Sequence, residues 1–251
     1  MVGFDKSLFE HQSVVVTGGS RGIGAAAARA FAEHGATVFI VARTEESLAK
    51  QAKDLCDRGL DVHAIACDIN DYAAVERMFS KVAEISGKID IVFANAGVLL
   101  QKETILESDP EIWQETVLTN LVGSYNTARA AINYMTRAGG GKLLFTGSGR
   151  GRKASSGLAD YSCSKAGQWM LVRCLAAELA QYNIAVNEIV PGPVATNMDT
   201  EQDSNADIVT ETGGEILKKP EDVVELILFV ASQSNTSGPS GQTFALNRRE
   251  I

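Results

Sequence analysis

The sequence predicts an α/β fold in which a doubly wound parallel sheet of about seven strands carries helices on both faces. Short apolar runs alternate with longer stretches of helical periodicity, and a glycine cluster follows the first of these runs. Strands that alternate with helices become parallel, and both faces of a parallel sheet are covered. A chain of 251 residues, 45% of them hydrophobic, is long enough for one such domain. We therefore expect residues 1–251 to form a single domain.

The first half of the chain predicts a β-α-β-α-β unit. Three valines in Ser13–Thr17 favour a buried strand, and the alanine-rich segment Gly22–His34 favours a helix that stops at Gly35. The next expected elements are a strand at Thr37–Ala42, a helix at Glu45–Arg58 and a strand at Asp61–Ala66. This alternation is typical of the nucleotide-binding half of a Rossmann fold.

The second half continues the alternation. We expect helices at Asp71–Ser86, Pro110–Arg137, Ala159–Gln181 and Glu221–Ala231, and strands at Ile89–Ala94, Lys142–Thr146, Ile184–Val190 and Gln242–Leu246. The irregular segment 197–219 contains many acidic and small polar residues. Because a loop of that length in a compact domain usually covers or binds a ligand, we expect a substrate loop there.

The overall composition disfavours several classes of protein. The net charge of −8 argues against binding to nucleic acid or to an anionic membrane. No apolar run approaches the ~20 residues of a membrane span, and no signal peptide is apparent, so we expect a cytoplasmic protein. The four cysteines and three histidines lack metal-ligand spacing, which predicts reduced, mostly packed thiols and no metal site. Trp113, Trp169 and Met170 are expected to be core or helix-packing residues rather than stacking platforms.

The segment Thr17–Gly24 predicts a phosphate-binding loop. Its glycines follow the pattern Gly-x-x-x-Gly-x-Gly, which allows a sharp turn and a close approach of the backbone to a pyrophosphate. The helix that follows would direct free N–H groups at that anion. The alternative is a strand-to-helix turn that requires glycine for its geometry alone.

Further polar and small residues fall where predicted strands end. Asn95-Ala96-Gly97 follows the fourth strand, Ser148 the fifth and Pro191-Gly192 the sixth, at the edge where open α/β sheets bind ligands. Tyr161 and Lys165 lie four residues apart on one helix, so both side chains leave the same face. A neighbouring ammonium lowers the pKa of a phenol from about 10, which predicts a proton shuttle.

The end of the second strand predicts the cofactor. Many dinucleotide folds place an acidic residue there, which repels a 2′-phosphate. This chain has Ala42 followed by Arg43, and Arg21 lies in the glycine loop, so two guanidiniums could bracket that phosphate. We therefore predict NADP(H), with NAD(H) less favoured. In the alternative, both arginines are solvated or paired with Glu45 or Glu46.

The segment after Ser148 is basic. Arg150, Arg152 and Lys153 follow it closely, and Arg150 is a candidate contact for an anionic or polyhydroxylated substrate. The alternative, favoured for charge runs in general, is that these cations pair with the acidic segment 199–215 or face solvent.

These motifs together resemble the short-chain dehydrogenase/reductase family over nearly the whole chain. The matching segments are Thr17–Gly24, Asn95–Gly97, Asn120, Ser148, Tyr161–Lys165 and Pro191–Thr196. The resemblance implies that Tyr161 is the acid/base and that Ser148 binds the substrate oxygen. It also implies that Lys165 holds the nicotinamide ribose and lowers the pKa of Tyr161, and that Asn120 supports a water linking Lys165 to solvent.

The resemblance also extends the cofactor site. Asp68 would contact the adenine amino group with Ile69 beside it, and Thr196 would hold the carboxamide. With the glycine loop and Arg43, the expected cofactor site comprises Gly18, Ser20, Arg21, Gly22, Ile23, Gly24, Arg43, Asp68, Ile69, Asn95, Ala96, Gly97, Tyr161, Lys165, Pro191, Gly192, Val194 and Thr196.

The expected function is hydride transfer between NADP(H) and a small carbonyl compound or secondary alcohol. Alternatives are a silent NADP-binding scaffold or sensor, a 3-oxoacyl thioester reductase, and an epimerase or dehydratase on the same fold. By resemblance the helices at Pro110–Arg137 and Ala159–Gln181 would form a homodimer or homotetramer contact. The carboxyl end, Phe244–Ile251, departs from the family pattern and leaves dimer and tetramer both open.

Overall fold

The computed structural model describes residues 4–196 and 217–247, which form a seven-stranded parallel sheet flanked by helices. This confirms the predicted fold class. The strands are β1 Ser13–Thr17, β2 Thr37–Ala42, β3 Val62–Ala66, β4 Ile91–Ala94, β5 Gly141–Thr146, β6 Ile184–Val190 and β7 Thr243–Ala245. The helices are α1 Gly22–Glu33, α2 Glu45–Cys56, α3 Tyr72–Ser86, α4 Pro110–Val117, α5 Gly123–Ala138, α6 Ala159–Leu179 and α7 Glu221–Ser232.

Two apolar cores lie on opposite faces of the sheet. Successive side chains of a strand point to opposite faces. In β1, Val15 therefore packs in the core with residues of α3, α5 and α6, whereas Val14 and Val16 pack with α1, α2 and α7. All three valines are completely buried. Burial on both faces explains why the strands are almost continuously apolar in sequence.

The strand order, 3-2-1-4-5-6-7, reverses at β1. The chain builds outward from β1 to β3 and then returns to add β4 on the other side of β1. In such sheets a crevice opens between the carboxyl ends of the two strands at the reversal. Gly18, after β1, and Asn95, after β4, stand at this crevice.

The helix predicted at Pro110–Arg137 is interrupted, which corrects the sequence analysis. Leu118–Val122 form a π-helical turn between α4 and α5, in which the N–H of Gly123 donates to the carbonyl of Leu118. Such turns occur frequently at functional sites, and hydrophobic periodicity does not reveal them. The other element boundaries lie within two residues of the predicted ones.

Most of the predicted substrate loop, residues 197–216, lies outside the described residues. Its flanks are joined, because the N–H of Ala195 donates to the carbonyl of Lys218 at 2.8 Å and the N–H of Lys218 donates to Pro193 at 3.0 Å. Val194 and Lys218 thereby form an isolated parallel bridge.

Three of the four cysteines are exposed, which corrects the prediction of mostly packed thiols. Cys67 is buried, whereas Cys56, Cys163 and Cys174 are not, and all four are free thiols. Across residues 4–196 and 217–247, no three metal-binding side chains cluster, and no helix is both long and apolar enough to traverse a bilayer.

Candidate active site

The glycine loop after β1 is closely packed. Gly18 and Gly22 adopt positive φ angles of 66° and 57°, which favour glycine. A Cβ atom on Gly24 would collide with the Gly18 carbonyl oxygen and lie 2.6 Å from the Asn95 side-chain nitrogen. The first and last glycines, Gly18 and Gly24, are therefore required by geometry. The backbone at this turn carries no side chain at these positions.

The N-terminus of α1 is available to bind an anion. Arg21, which precedes the helix, is extended and makes no side-chain capping hydrogen bond, and the first turn contains no acidic side chain. Uncapped N–H groups and the positive end of the helix dipole favour a phosphate at this position. The bare loop and the open helix end fit the pyrophosphate of a dinucleotide.

Asn95 connects the glycine loop to its neighbours. Its side-chain nitrogen donates to the carbonyls of Thr17 and Gly18 at 3.1 and 3.4 Å, and its side-chain oxygen accepts from the Thr146 hydroxyl at 2.9 Å. The Ala96 N–H donates to the Thr17 hydroxyl at 3.1 Å. The side chain of Asn95 thus fixes the relative positions of β1, β4 and β5 at the crevice.

The tip of β2 lies against the glycine loop. The N–H of Gly19 donates to the Val41 carbonyl at 3.1 Å, which brings the segment after Val41 close to the segment before α1. Arg21 and Arg43 are exposed, and neither forms an ion pair with a residue that the structure describes. Of the alternative given above, pairing with Glu45 or Glu46 is not observed among the described residues, whereas solvated arginines agree with this exposure.

A cleft of about 310 Å³ opens beside this loop. Its lining includes Ser20, Arg21, Arg29 and Gln51. Arg29 forms a 3.2 Å ion pair with Glu221. Arg29 and Gln51 were not predicted as site residues, because the cleft forms only where α1, α2 and the start of α7 meet.

The remaining cofactor candidates lie in two places. Asp68 is exposed and accepts the Asn70 N–H at 3.0 Å, whereas Ile69 is buried against Gly123 of α5. After β6, Gly192 has a φ of +71°, and a Cβ on Gly22 would lie 3.2 Å from the Thr196 methyl group. The structure thus brings Thr196 to the glycine loop, while Pro191 is buried beneath that segment.

The segment that carries Ser148 packs directly on α6. Ser148 precedes a short 3-10 turn at Gly149–Gly151, and its hydroxyl accepts the N–H of Arg150 at 3.2 Å. A Cβ on Gly151 would lie 2.8 Å from the backbone of Lys165. Glycine at this position lets the serine loop approach the helix that carries Tyr161 and Lys165.

Lys165 is a buried ammonium group next to a phenol ring. Its side chain is 2% exposed, and Nζ lies 5.9 Å from the centroid of the Tyr161 ring. Burial lowers the pKa of Lys165 from 10.5 to about 8, while the Glu188 carboxylate acts in the opposite direction. The predicted pairing of Tyr161 with Lys165 on one helix face agrees with this geometry.

Asn120 lies in the π-helical turn and is completely buried. Its side-chain oxygen accepts the Val98 N–H at 2.7 Å, and its side-chain nitrogen donates to the Val98 carbonyl at 2.9 Å and to the Ser164 hydroxyl at 3.1 Å. The side chain is therefore fully occupied by neighbouring protein groups. The side chain of Gln168, which the sequence analysis missed, connects Lys165 to the Asn120 backbone.

Arg152 forms a buried ion pair that was not predicted. Its Nη2 atom lies 2.5 Å from Oε2 of Glu188 and 2.6 Å from the Thr243 hydroxyl. Arg152 therefore does not face solvent, and the acidic segment 199–215, the other alternative, lies outside the described residues. Lys153 is exposed, and Arg150 donates to the Ser155 hydroxyl, so a substrate contact by Arg150 stays a prediction.

Trp169 lies between two guanidiniums. The Arg173 guanidinium is 4.0 Å from the centroid of the Trp169 ring, and the Arg152 guanidinium is 5.3 Å from it. The tryptophan thus packs against two arginine side chains of the same chain, which is the packing role expected for it. Met170, which follows it, is 49% exposed and is no core residue.

The comparisons with known proteins settle the family. A family model described as short chain dehydrogenase matches residues 12–207. The chain belongs to this family. A short chain dehydrogenase of Burkholderia cenocepacia, crystallised in complex with NADP, is similar with a TM-score of 0.85 and 27% identity over 95% of this chain and 97% of that one.

Two relatives of known activity are similar over most of their length. 2,3-Dihydro-2,3-dihydroxybenzoate dehydrogenase of Bacillus subtilis is 32% identical, with 89% of this chain and 90% of the relative covered. 3-Oxoacyl-[acyl-carrier-protein] reductase of Chlamydia muridarum is 33% identical, with 96% and 98% covered. The short-chain dehydrogenase described here is accordingly an oxidoreductase of a family that uses nicotinamide cofactors.

Proposed function

We propose that this short-chain dehydrogenase transfers hydride between NADP(H) and a carbonyl compound or secondary alcohol, with Tyr161 as the acid/base. One observation supports this most strongly. The buried Lys165 ammonium lies 5.9 Å from the Tyr161 ring, on the helix turn against which the Ser148 loop packs. A cation held out of water beside a phenol favours the phenolate, so it makes tyrosine a usable acid and base near neutral pH.

Each residue has a role in the proposed reaction. Bound NADPH supplies the hydride that reduces the carbonyl carbon. As negative charge grows on the substrate oxygen, the hydroxyls of Ser148 and Tyr161 donate hydrogen bonds to it, and Tyr161 releases its proton to form the alcohol. Lys165 stabilises the resulting phenolate and holds the ribose. In the oxidising direction, the Tyr161 phenolate accepts the proton of the alcohol.

The preference for NADP(H) rests on the region around Arg43. No acidic side chain ends β2. Arg21 lines the cleft together with Ser20 and Gln51, and Arg43 is exposed directly after β2, whose Val41 carbonyl accepts the N–H of Gly19. Unpaired guanidiniums are suited to binding a phosphate in a bidentate manner. The NADP complex of the Burkholderia relative supports the same assignment.

The substrate belongs to a broad class. One relative is named for a cyclic dihydrodiol and another for an acyl-carrier-protein thioester. The latter supports 3-oxoacyl thioester reduction as a second candidate function. Turnover of any carbonyl compound would exclude another of the alternatives, a silent NADP-binding scaffold or sensor.

The proposed enzyme is a cytoplasmic homodimer or homotetramer. Four apolar side chains on the π-helical turn, α5 and α6 are more than a third exposed: Leu118, Val122, Tyr125 and Met170. Exposed apolar groups grouped on neighbouring elements are typical of subunit contacts. These four residues, here called the apolar helix face, support the proposed contact between subunits.

A substrate panel tests the proposed function. Ketones, sugars, polyols and 3-oxoacyl thioesters are supplied with NADPH or NADP, and the nicotinamide absorbance is followed. We expect turnover of at least one compound and a loss of about a hundredfold to ten-thousandfold in kcat for Tyr161→Phe. Tyr182→Phe, an exposed tyrosine, is the matched control. Wild-type turnover by Tyr161→Phe would overturn the mechanism.

A further inference from the structure

Gln168 connects two residues of the proposed active site. Its side-chain oxygen accepts a hydrogen bond from Lys165 Nζ at 3.1 Å, and its side-chain nitrogen donates to the backbone carbonyl of Asn120 at 3.3 Å. The same nitrogen donates to the Ser124 hydroxyl at 2.7 Å, and that hydroxyl donates to the Asn120 carbonyl at 2.7 Å. Gln168 is completely buried, so this network is shielded from water.

The π-helical turn carries one end of this network. In a regular α-helix a carbonyl accepts from the backbone N–H four residues later. At Leu118–Val122 the ladder is widened, and the Asn120 carbonyl accepts from the side chains of Ser124 and Gln168. α6 contributes Gln168 one helical turn beyond Lys165, on the same face.

The hydrogen bonds of the Lys165 ammonium group show the role of the Gln168 amide. An ammonium group has three N–H donors. One donates to the Thr146 carbonyl at 2.8 Å and one to Gln168 at 3.1 Å. These two acceptors, one at the end of β5 and one on α6, fix the position of Nζ. The third N–H is then free to serve the ribose in the proposed function.

We propose that Gln168 is a positioning residue whose amide anchors the Lys165 ammonium directly to the Asn120 carbonyl. The family resemblance implies a water that links Lys165 to solvent, whereas this amide links Lys165 to the protein backbone. An amide neither releases nor takes up a proton near neutral pH, so the bridge fixes a charge in place. This inference rests on the proposed function, in which Lys165 holds the ribose.

The first test measures Lys165 in the cofactor-free protein. The titration of its side-chain nitrogen is followed by ¹⁵N NMR and assigned with Lys165→Arg. The charged group that faces Lys165 is Glu188 on β6, and Arg152 partly neutralises its charge. The titratable neighbour of Lys165 is Tyr161 on α6. All three are unchanged in the Gln168 variants.

Two substitutions should move this titration in opposite directions. Gln168→Met removes the acceptor at similar volume, so the midpoint should fall by about one pH unit from its value near 8. Gln168→Glu keeps an acceptor and adds negative charge, so the midpoint should rise. Gln181→Met, an exposed glutamine just beyond α6, should leave it unchanged.

Cofactor binding and turnover provide a second readout. Gln168→Met should weaken NADPH binding and lower kcat by on the order of tenfold, because the ammonium loses one of its two anchors. If the midpoint and the affinity for NADPH equal the wild-type values while only the melting temperature falls, Gln168 is structural and the proposal is overturned.

The titration separates this proposal from the proposed function. Opposite midpoint shifts in a protein that turns over no substrate would support the role of Gln168 and refute the enzyme assignment. If Gln168→Met does not fold, Gln168→Glu alone tests the proposal. An unchanged or lower midpoint of the Lys165 titration in that variant contradicts the proposal.

Discussion

Arg152 and Glu188 form an ion pair of 2.5 Å between the loop that follows Ser148 and strand β6. The glutamate is completely buried and the arginine side chain is 16% exposed. A Cβ on Gly147 would collide with the same carboxylate, which accounts for glycine immediately before Ser148. The pair therefore ties the serine loop to the sheet.

Removing the arginine should destabilise the protein strongly. Arg152→Met leaves the Glu188 carboxylate buried with the Thr243 hydroxyl as its remaining hydrogen-bond donor, at a cost of about 3–5 kcal/mol in the free energy of unfolding. Denaturant unfolding measures this. Arg150→Met, in the same loop, is the control, and replacing both Arg152 and Glu188 by methionine should recover most of the loss. Equal effects of Arg152→Met and Arg150→Met would contradict the role of the pair.

The glycine loop should not tolerate a methyl group at its last glycine, Gly24. Gly24→Ala forces the Gly18 carbonyl and the Asn95 side chain to move, so NADPH affinity, measured by fluorescence titration, should fall by more than about tenfold. Gly59→Ala is a control with a φ of +80° and open space around it, and it should cost about 1 kcal/mol of stability with unchanged affinity. Normal affinity in Gly24→Ala would show that the loop does not bind the pyrophosphate.

Arg43 should determine the cofactor preference. Arg43→Asp replaces a cation with the charge that repels a 2′-phosphate, so the ratio of kcat/KM for NADP to that for NAD should fall by about ten- to a hundredfold. Arg77→Asp makes the same charge change on α3 and should leave the ratio unaltered. A constant ratio in Arg43→Asp would remove the NADP assignment.

The buried Lys165 should make stability depend on pH. Its pKa is lowered by burial from 10.5 to about 8, so below pH 8 both folded and unfolded chains carry the proton and the folded state bears the cost of a buried charge. Between pH 8 and 10.5 the unfolded chain binds more protons, and the free energy of unfolding therefore rises with pH.

The size of this effect can be measured by difference. The stability of the wild type minus that of Lys165→Met should increase by up to about 3 kcal/mol as the pH rises through this window. Unfolding by denaturant at several pH values gives the stability of the wild type and that of Lys165→Met. Their difference cancels the contribution of other titratable groups. A difference independent of pH would show that Lys165 is not desolvated.

The apolar helix face should hold subunits together. Val122→Asp places a charge in that face, which should lower the molecular mass measured by light scattering toward that of a monomer. Leu106→Asp changes a side chain that is 94% exposed in a loop outside the face, and its mass should match that of the wild type. A wild type that is already monomeric would refute the proposed assembly.

Local chemistry made much of the site predictable from sequence. The glycines of Thr17–Gly24 are demanded by a turn that a Cβ would block, and the spacing of Tyr161 and Lys165 fixes their common face. Partners distant in sequence were not predictable. Arg152 and Glu188 are 36 residues apart, and only the packing of the serine loop on β6 brings them together.

Gln168 illustrates the same limit. It follows Lys165 by three residues, yet its second partner, Asn120, is 48 residues away and is reached through the π-helical turn. Hydrophobic periodicity predicts one continuous helix there, because a single widened turn barely disturbs the pattern.

The backbone bridge between Val194 and Lys218 has a practical consequence for engineering. Because main-chain hydrogen bonds close the flanks of residues 197–216, that closure does not depend on the side chains between them. The intervening stretch can therefore be exchanged for those of relatives while the hydrogen bonds among Pro193, Ala195 and Lys218 are kept. In the proposed function, in which this stretch covers the substrate, such an exchange changes the specificity and leaves the glycine loop Thr17–Gly24 as it is.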